Sequence, residues 1–169
     1  MKPTLSIALA AGLCFGSAHA QQHDPAMHMQ RQAQAAKTMK PAQTAPKDAR
    51  QAVKFPKALR EHTLANMRDH LLALQEIQEA LAKQEYDRAG DIAEQRLGMS
   101  SLGLHGAHEV AKYMPKGMQE AGTAMHRNAS RFAVAAKDAG ATGDVRPALA
   151  ALASTTAQCV ACHAGYRVK

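Results

Sequence analysis

Two cysteines and a histidine near the C-terminus form the most chemically specific pattern in the chain. Cys159 and Cys162 are three residues apart, and His163 follows directly. On a helix this spacing turns both thiols to one side, where they can form thioethers to the two vinyl groups of one porphyrin. The adjacent imidazole can then present its Nε2 to the iron. The pattern is typical of c-type haem attachment.

Three other uses of the two thiols are a redox dithiol, half of a zinc site and a structural disulfide. A redox dithiol is typical of a βαβ unit, which the sequence does not indicate. A zinc site needs further ligands at the expected spacing, and the only other cysteine is Cys14. A disulfide remains an alternative because thiol pairs in exported proteins usually oxidise. Haem attachment is favoured over all three.

Residues 1–20 are typical of a cleavable secretory signal. A positively charged start and a short apolar run precede Ala18-His19-Ala20, which fits an A-x-A cleavage pattern. The apolar run is far shorter than the roughly 20 residues of a membrane-spanning helix. We therefore expect export to the periplasm, loss of Cys14 with the signal, and no transmembrane segment.

The net charge of +7 lies mainly in the segment that follows the signal. Residues 21–57 hold seven Lys or Arg against two Asp, whereas residues 58–169 hold thirteen against twelve acidic residues. Nucleic acid is not expected as a partner, because no basic helix face with stacking aromatics is present. Residues 21–53 contain almost no large aliphatic side chains, which predicts a flexible and disordered N-terminal linker.

Residues 54–169 predict an all-α domain, since no stretch alternates with period two and strands are therefore not expected. A first helix reaches about Lys83 and a second runs from Asp87 to Val110. A third ends at Gly143, and a fourth opens at Asp144. The stripe of the first helix consists of Leu64, Met67, Leu71, Leu74 and Leu81.

Four helices with short loops predict an antiparallel up-down-up-down four-helix bundle. The chain has no Trp, and aromatic residues make up only 4% of it. Such a core is thin, so a large apolar group is expected to fill its centre. A haem would do so.

The C-terminal segment from Cys159 to Arg167 reads CxxCHxxYR, and this ending resembles that of class II cytochromes c, the cytochrome c′ family. The resemblance covers about residues 57–169. Further matching positions are Arg60, Leu64, Met67 and His70 in the first helix, Tyr86-Asp87, Met114-Pro115-Lys116-Gly117, and Ala129-Ser130-Arg131-Phe132. The chain departs from the family at His126, where many members carry Trp, and at His105 and His108 among glycines.

The resemblance implies one covalent haem c with His163 as an axial ligand of its iron. It also implies that Arg60 pairs with a haem propionate and that Arg167 lies near the proximal histidine. Tyr166 is expected to pack against the bundle. A homodimer through the first two helices is implied as well, although the charged outward face expected for the first helix argues against it.

The residue opposite His163 decides the function. The resemblance places Leu64 there, and a leucine cannot bind iron, which implies a five-coordinate site that admits NO or CO. Met67 lies three residues further along nearly the same helix face and could supply its sulfur as a sixth ligand. The main hypothesis is a redox-active haem protein that binds a diatomic gas. The alternative is a six-coordinate electron carrier that serves redox partner proteins. Neither is an enzyme, because Leu64 provides no distal acid or base.

Two further metal sites can be read from the histidines. Cleavage after Ala20 would leave Gln21-Gln22-His23, whose amine, amides and imidazole suit square-planar Cu(II) or Ni(II). Such a tail, aided by Met27-His28-Met29, would make the chain a copper-handling protein. His105 could also share a metal ion with His108 or Glu109 on one helix face.

Overall fold

The computed structural model describes Gln30, Gln34 and residues 47–169, and this part of the chain is mostly helical, which confirms that prediction. In chain order the elements are strand β1 (Gln51–Val53), helix α1 (Lys57–Ala82), helix α2 (Tyr86–Arg96), a 3-10 turn (Met99–Ser101), helix α3 (Ala107–Ala111), helix α4 (Lys116–Thr142), helix α5 (Arg146–Gly165) and strand β2 (Tyr166–Val168). The predicted signal peptide at 1–20, and the predicted copper site at Gln21 to His23 with Met27-His28-Met29, lie outside the described residues. Within residues 47–169, no helix is both long and apolar enough to cross a membrane.

Helix α1 packs through a face of small residues rather than through its leucines. Ala73, Ile77 and Ala80 are fully buried at steps of four and three. Leu71, expected on the buried stripe, is 68% exposed, so the prediction was wrong there. Small side chains let neighbouring helices approach closely, and the helix is therefore rotated to turn alanines inward.

The segment expected to be one long second helix is broken after Arg96. Helix α2 ends there, and the chain continues through the 3-10 turn and the five-residue α3. Gly106 adopts a left-handed conformation with φ of 58°, which only glycine accepts without strain. The break turns His105 into the interior, where it is buried.

Helices α4 and α5 begin and end close to the residues that the sequence indicates. Helix α4 follows Pro115 and stops at Gly143, whose left-handed φ of 75° ends a helix readily. Helix α5 carries Pro147 in its first turn, where no N–H is needed. Asp144 accepts a hydrogen bond from the backbone N–H of Arg146 at 3.1 Å.

The main core joins four helices. It is centred on Phe132, the largest fully buried side chain among the described residues, and it reaches α1, α2, α4 and α5. Most of its other members are alanines. We call this the larger cluster: Ala73, Ile77, Ala80, Ala89, Ala93, Leu97, Met125, Ala129, Phe132, Ala133, Ala136, Ala148 and Leu152.

A second, separate core includes the two strands. Strands β1 and β2 pair in parallel, with Val53 opposite Val168, and Lys169 donates its N–H to the carbonyl of Val53 at 3.0 Å. The prediction that strands are absent was therefore wrong, since three-residue strands are too short to show alternation. The end of the segment expected to be a linker is part of this core. We call it the smaller cluster: Val53, Phe55, Val110 and Met118, with Leu59, Met114, Cys162, Tyr166 and Val168 packed against it.

Candidate functional site

An open cavity of about 290 Å³ brings most of the predicted site residues together. Its walls come from α1, the start of α4, the end of α5 and the segments around both strands. The lining consists of Arg50, Leu64, Met67, Met118, Cys162, His163, Tyr166, Arg167 and Val168. The C-terminal motif and the first-helix positions, almost a hundred residues apart in sequence, thus face one space.

The last two turns of α5 present the motif. Cys159 packs against the larger cluster and Cys162 against the smaller one, and both are free and half-buried. His163 follows at the exposed end of the helix. The helix therefore holds two thiols at the boundary of the two cores and an imidazole at the cavity.

Both thiols are protonated at neutral pH. Burial raises the pKa of Cys159. Burial is also the larger cause of the raised pKa of Cys162, and the neighbouring Cys159 is the smaller one. A redox dithiol needs a thiolate, which requires a lowered pKa. The surroundings of these cysteines therefore do not favour the dithiol interpretation.

Leu64 and Met67, half-buried on one face of α1, line the same cavity as Cys162 and His163. Met118, which is buried, adds a second thioether to the lining. The sequence analysis did not identify Met118 as a site residue, because no motif includes it and only the tertiary structure brings it to the cavity.

The polar part of the lining is an arginine pair held by one carboxylate. Asp48 accepts from Arg50 Nη2 at 2.8 Å and lies 3.3 Å from Arg167 Nε. Arg50 Nη1 donates to the carbonyl of His163 at 3.5 Å. Hydrogen bonds from Arg50, together with the charges of Arg50 and Arg167, lower the pKa of Asp48 to about 2. Two cationic groups, Arg50 and Arg167, thus line the same cavity as His163.

One N–H donor of the arginine pair is unused. Arg167 Nε is buried, and despite its distance to Asp48 it makes no hydrogen bond. A buried N–H without an acceptor is uncommon, and this one is available as a donor to a further acceptor. Arg60, expected to pair with a propionate, is exposed and is not part of the lining, whereas Arg50 is.

The residues present fit a covalently bound haem. Two free thiols at helical spacing and an adjacent imidazole match the thioether and axial contacts of that group. Cys162 and His163 line the cavity together with apolar Leu64 and Met67, whereas Cys159 lies outside the lining and packs against the larger cluster. The buried Arg167 Nε offers a donor to a carboxylate. Tyr166 packs in the smaller cluster and also lines the cavity, as expected for a packing residue.

A group of histidines lies outside the cavity lining. His105 and His126 are buried, and His70 on α1 meets both of them. His108 and Glu109 are exposed, and Glu109 pairs with Lys112, so neither shares a site with His105. Within the part of the chain that the structure describes, no three His, Cys, Asp or Glu side chains are already spaced to hold a metal ion.

Burial keeps these histidines neutral. Desolvation is the largest cause in each case, and it lowers the pKa of His105 and of His126 and lowers that of His70 from 6.5 to about 4. The neighbouring histidines lower the His70 value further, while Asp69 raises it. The folded chain therefore resists protonation at these rings.

Acid is expected to destabilise the fold through His70. An unfolded chain binds a proton near pH 6.5, whereas the folded chain does so only near pH 4. Stability is therefore complete above 6.5, falls as the pH drops between these values, and loses about 3 kcal/mol from this group. Chemical denaturation in metal-free buffer at several pH values measures the slope. The His70→Gln variant should have a shallower slope, while exposed His108→Ala should keep it; an equal slope in all three chains would contradict the assignment.

Comparison with known protein families, with curated proteins and with solved structures found no match to this chain.

Proposed function

We propose that the mature chain is a periplasmic mono-haem c-type cytochrome of class II, with one haem c on Cys159 and Cys162 and His163 as axial ligand. The observation that carries the proposal is the shared cavity. Cys162 and His163 line it together with Leu64 and Met67, although nothing in local sequence spacing requires these positions to meet. The sequence of residues 1–20, which is typical of a cleavable export signal, supports the periplasmic location.

We further propose that the main helices form an antiparallel up-down-up-down four-helix bundle. Consecutive long elements contact each other: α1 with α2, α2 with α4, and α4 with α5. The larger cluster draws on all four of them. Such a bundle is a common scaffold for cofactor sites built from facing helices.

A haem in this site supplies one-electron redox chemistry and, where one axial position is open, a binding position for a small neutral gas. The residues that line the cavity determine which ligands can reach that position. Leu64 and Met67 form an apolar wall, and burying water or an anion there without a polar partner is unfavourable. This favours NO or CO over charged ligands.

The chain is proposed to be a carrier or gas-binding protein rather than an enzyme. The cavity lining includes one imidazole, that of His163, and no carboxylate among the described residues. The guanidinium of Arg167 is placed to hold a carboxylate group with its buried Nε, and Arg50 stands beside it with its own donors. Arg50 and Arg167 would orient the haem through its carboxylates. Redox partner proteins would then exchange electrons with the haem.

The experiment that tests this function is the optical and EPR spectrum of the purified protein, oxidised and reduced, with and without CO and NO. High-spin signals with gas binding after reduction are expected. A low-spin spectrum with no gas binding would replace this function by electron transfer alone.

That second function has a specific observation in its favour, because the thioether side chains of Met67 and Met118 also line the cavity. A methionine sulfur is a common sixth ligand in electron-transfer cytochromes. In this case the site would be six-coordinate, and its role would be to pass electrons between partner proteins.

Replacing Met67 by alanine tests whether its sulfur is the sixth ligand, given the spin state of the original protein. With an open sixth position, the visible and EPR spectra of Met67→Ala should equal those of the original protein, because the sulfur is only a packing group. Leu64→Met is the matched comparison and should convert the spectrum to low spin by adding a sulfur at the distal position. A change from low to high spin in Met67→Ala would instead identify Met67 as the ligand.

A further inference from the structure

Three imidazole rings from separate parts of the chain meet beneath the broken end of α2. His70 comes from α1, His105 from the segment after the 3-10 turn, and His126 from α4. The ring centroids are 4.7 Å apart for His70 and His105, 5.3 Å for His105 and His126, and 6.2 Å for His70 and His126. We call these residues the histidine cluster. None of them lines the cavity beside Cys162.

Hydrogen bonds around the cluster assign which ring nitrogens carry a proton. His126 Nδ1 lies 2.7 Å from the carbonyl oxygen of Leu97, which can only accept, so Nδ1 is the donor. Ser101 donates its hydroxyl to the carbonyl of Gly98 at 2.7 Å, and its oxygen is left to accept from His105 Nδ1 at 3.3 Å. In both neutral rings Nε2 is therefore the unprotonated nitrogen, and that of His105 accepts a hydrogen bond from His70 Nε2 at 3.4 Å.

Hydrogen bonds of this kind support the histidine ligands of metal ions in proteins. A ligating histidine usually donates its other ring N–H to a carbonyl or another acceptor, and that bond fixes its tautomer and orientation. Burial also keeps the rings neutral, which is the form that binds a metal.

The separation of two of the nitrogens has the size of a ligand pair. His70 Nε2 and His105 Nε2 are 3.4 Å apart. Two nitrogens that each lie 2.0 to 2.1 Å from a tetrahedral zinc ion are separated by about 3.3 to 3.4 Å. We propose that His70, His105 and His126 bind one divalent transition-metal ion of the zinc class, with water as the fourth ligand.

Two adjustments complete the site. Without metal, one hydrogen bond joins His70 Nε2 to His105 Nε2. When the metal ion binds, it replaces this hydrogen between the two nitrogens. The proton of His70 then lies on Nδ1, which leaves Nε2 free to bind the metal. His126 must turn its Nε2 toward the same point, since only the His70 and His105 pair is now at ligand spacing. The surrounding charges are those of Asp69 and Arg96, which pair with each other, and His62 lies near His105.

The test is titration of the purified mature protein, with whatever haem it carries, with Zn(II), followed by calorimetry and metal analysis. Every chain carries His23→Ala and His28→Ala, which remove the imidazole donors of the tail. One zinc ion per chain is expected. Binding should weaken about tenfold or more in His105→Ala and in His126→Ala, whereas the exposed His108→Ala should bind as the parent does.

A milder variant keeps the test decisive if a histidine substitution unfolds the chain. Ser101→Ala removes only the acceptor of His105 Nδ1 and should weaken zinc binding about tenfold with helix content and haem spectrum retained. Absence of zinc binding, or equal binding in the parent, His105→Ala and Ser101→Ala, would overturn the proposal and leave a hydrogen-bonded neutral cluster. The site does not depend on the proposed haem function, because haem attachment is read from the absorption spectrum and zinc binding from the calorimeter.

Discussion

Replacing Cys159 and Cys162 together by alanine is expected to abolish covalent haem attachment completely. Both thioethers would be lost, and no other cysteine remains once the signal is removed. Haem bound only through His163 would exchange with solvent, because that residue lies at the exposed end of α5. Denaturing electrophoresis with a haem stain, and intact mass, measure the loss.

The control for this prediction lies between the two cysteines. Val160 is 64% exposed, so Val160→Ala removes an apolar side chain from the same turn without disturbing either thiol. It should attach haem at the parent level. Full covalent attachment in the double cysteine variant would contradict the assignment of these residues.

Replacing Phe132 by alanine is expected to have the largest effect on stability. The ring is fully buried at the centre of the larger cluster, and most of its neighbours are alanines that cannot reach into the space it leaves. Substitutions of this kind reduce the free energy of unfolding by about 3 to 5 kcal/mol. That is a large share of the about 5 to 15 kcal/mol that a domain has. Urea denaturation followed by far-ultraviolet circular dichroism measures it.

Two residues further along α4, Val134 provides the matched control. It is 62% exposed, and Val134→Ala should change stability by no more than about 0.5 kcal/mol. If Phe132→Ala and Val134→Ala were equally stable, the helix would not be oriented as described, with Phe132 toward the core.

The proposed haem-attachment motif could be recognised in the sequence because its chemistry depends on local spacing. Two thioethers to one porphyrin and an adjacent imidazole require five consecutive residues, and Cys159 to His163 supply them. The ends of α4 were equally readable, since Pro115 and Gly143 act on the backbone at their own positions. Signals of this kind do not depend on the rest of the fold.

Other features required the tertiary structure. Arg50 reaches the carbonyl of His163 across 113 positions of sequence, and it lies in a segment whose composition predicted a linker. The rotation of α1 about its axis depends on the side chains of the helices packed against it. The sequence of α1 alone does not show this, so the prediction placed Leu71 on the buried stripe although it is exposed. The histidine cluster likewise combines three elements, and His70, His105 and His126 share no local spacing that would bring them together.

The most direct test of the haem assignment is the intact mass of the purified mature protein under denaturing conditions, after export in a host that attaches c-type haem. The expected result is the mass of residues 21–169 plus one haem, with both thiols of Cys159 and Cys162 blocked to alkylation. A mass equal to the bare polypeptide, with the two thiols free or joined in a disulfide, would contradict it.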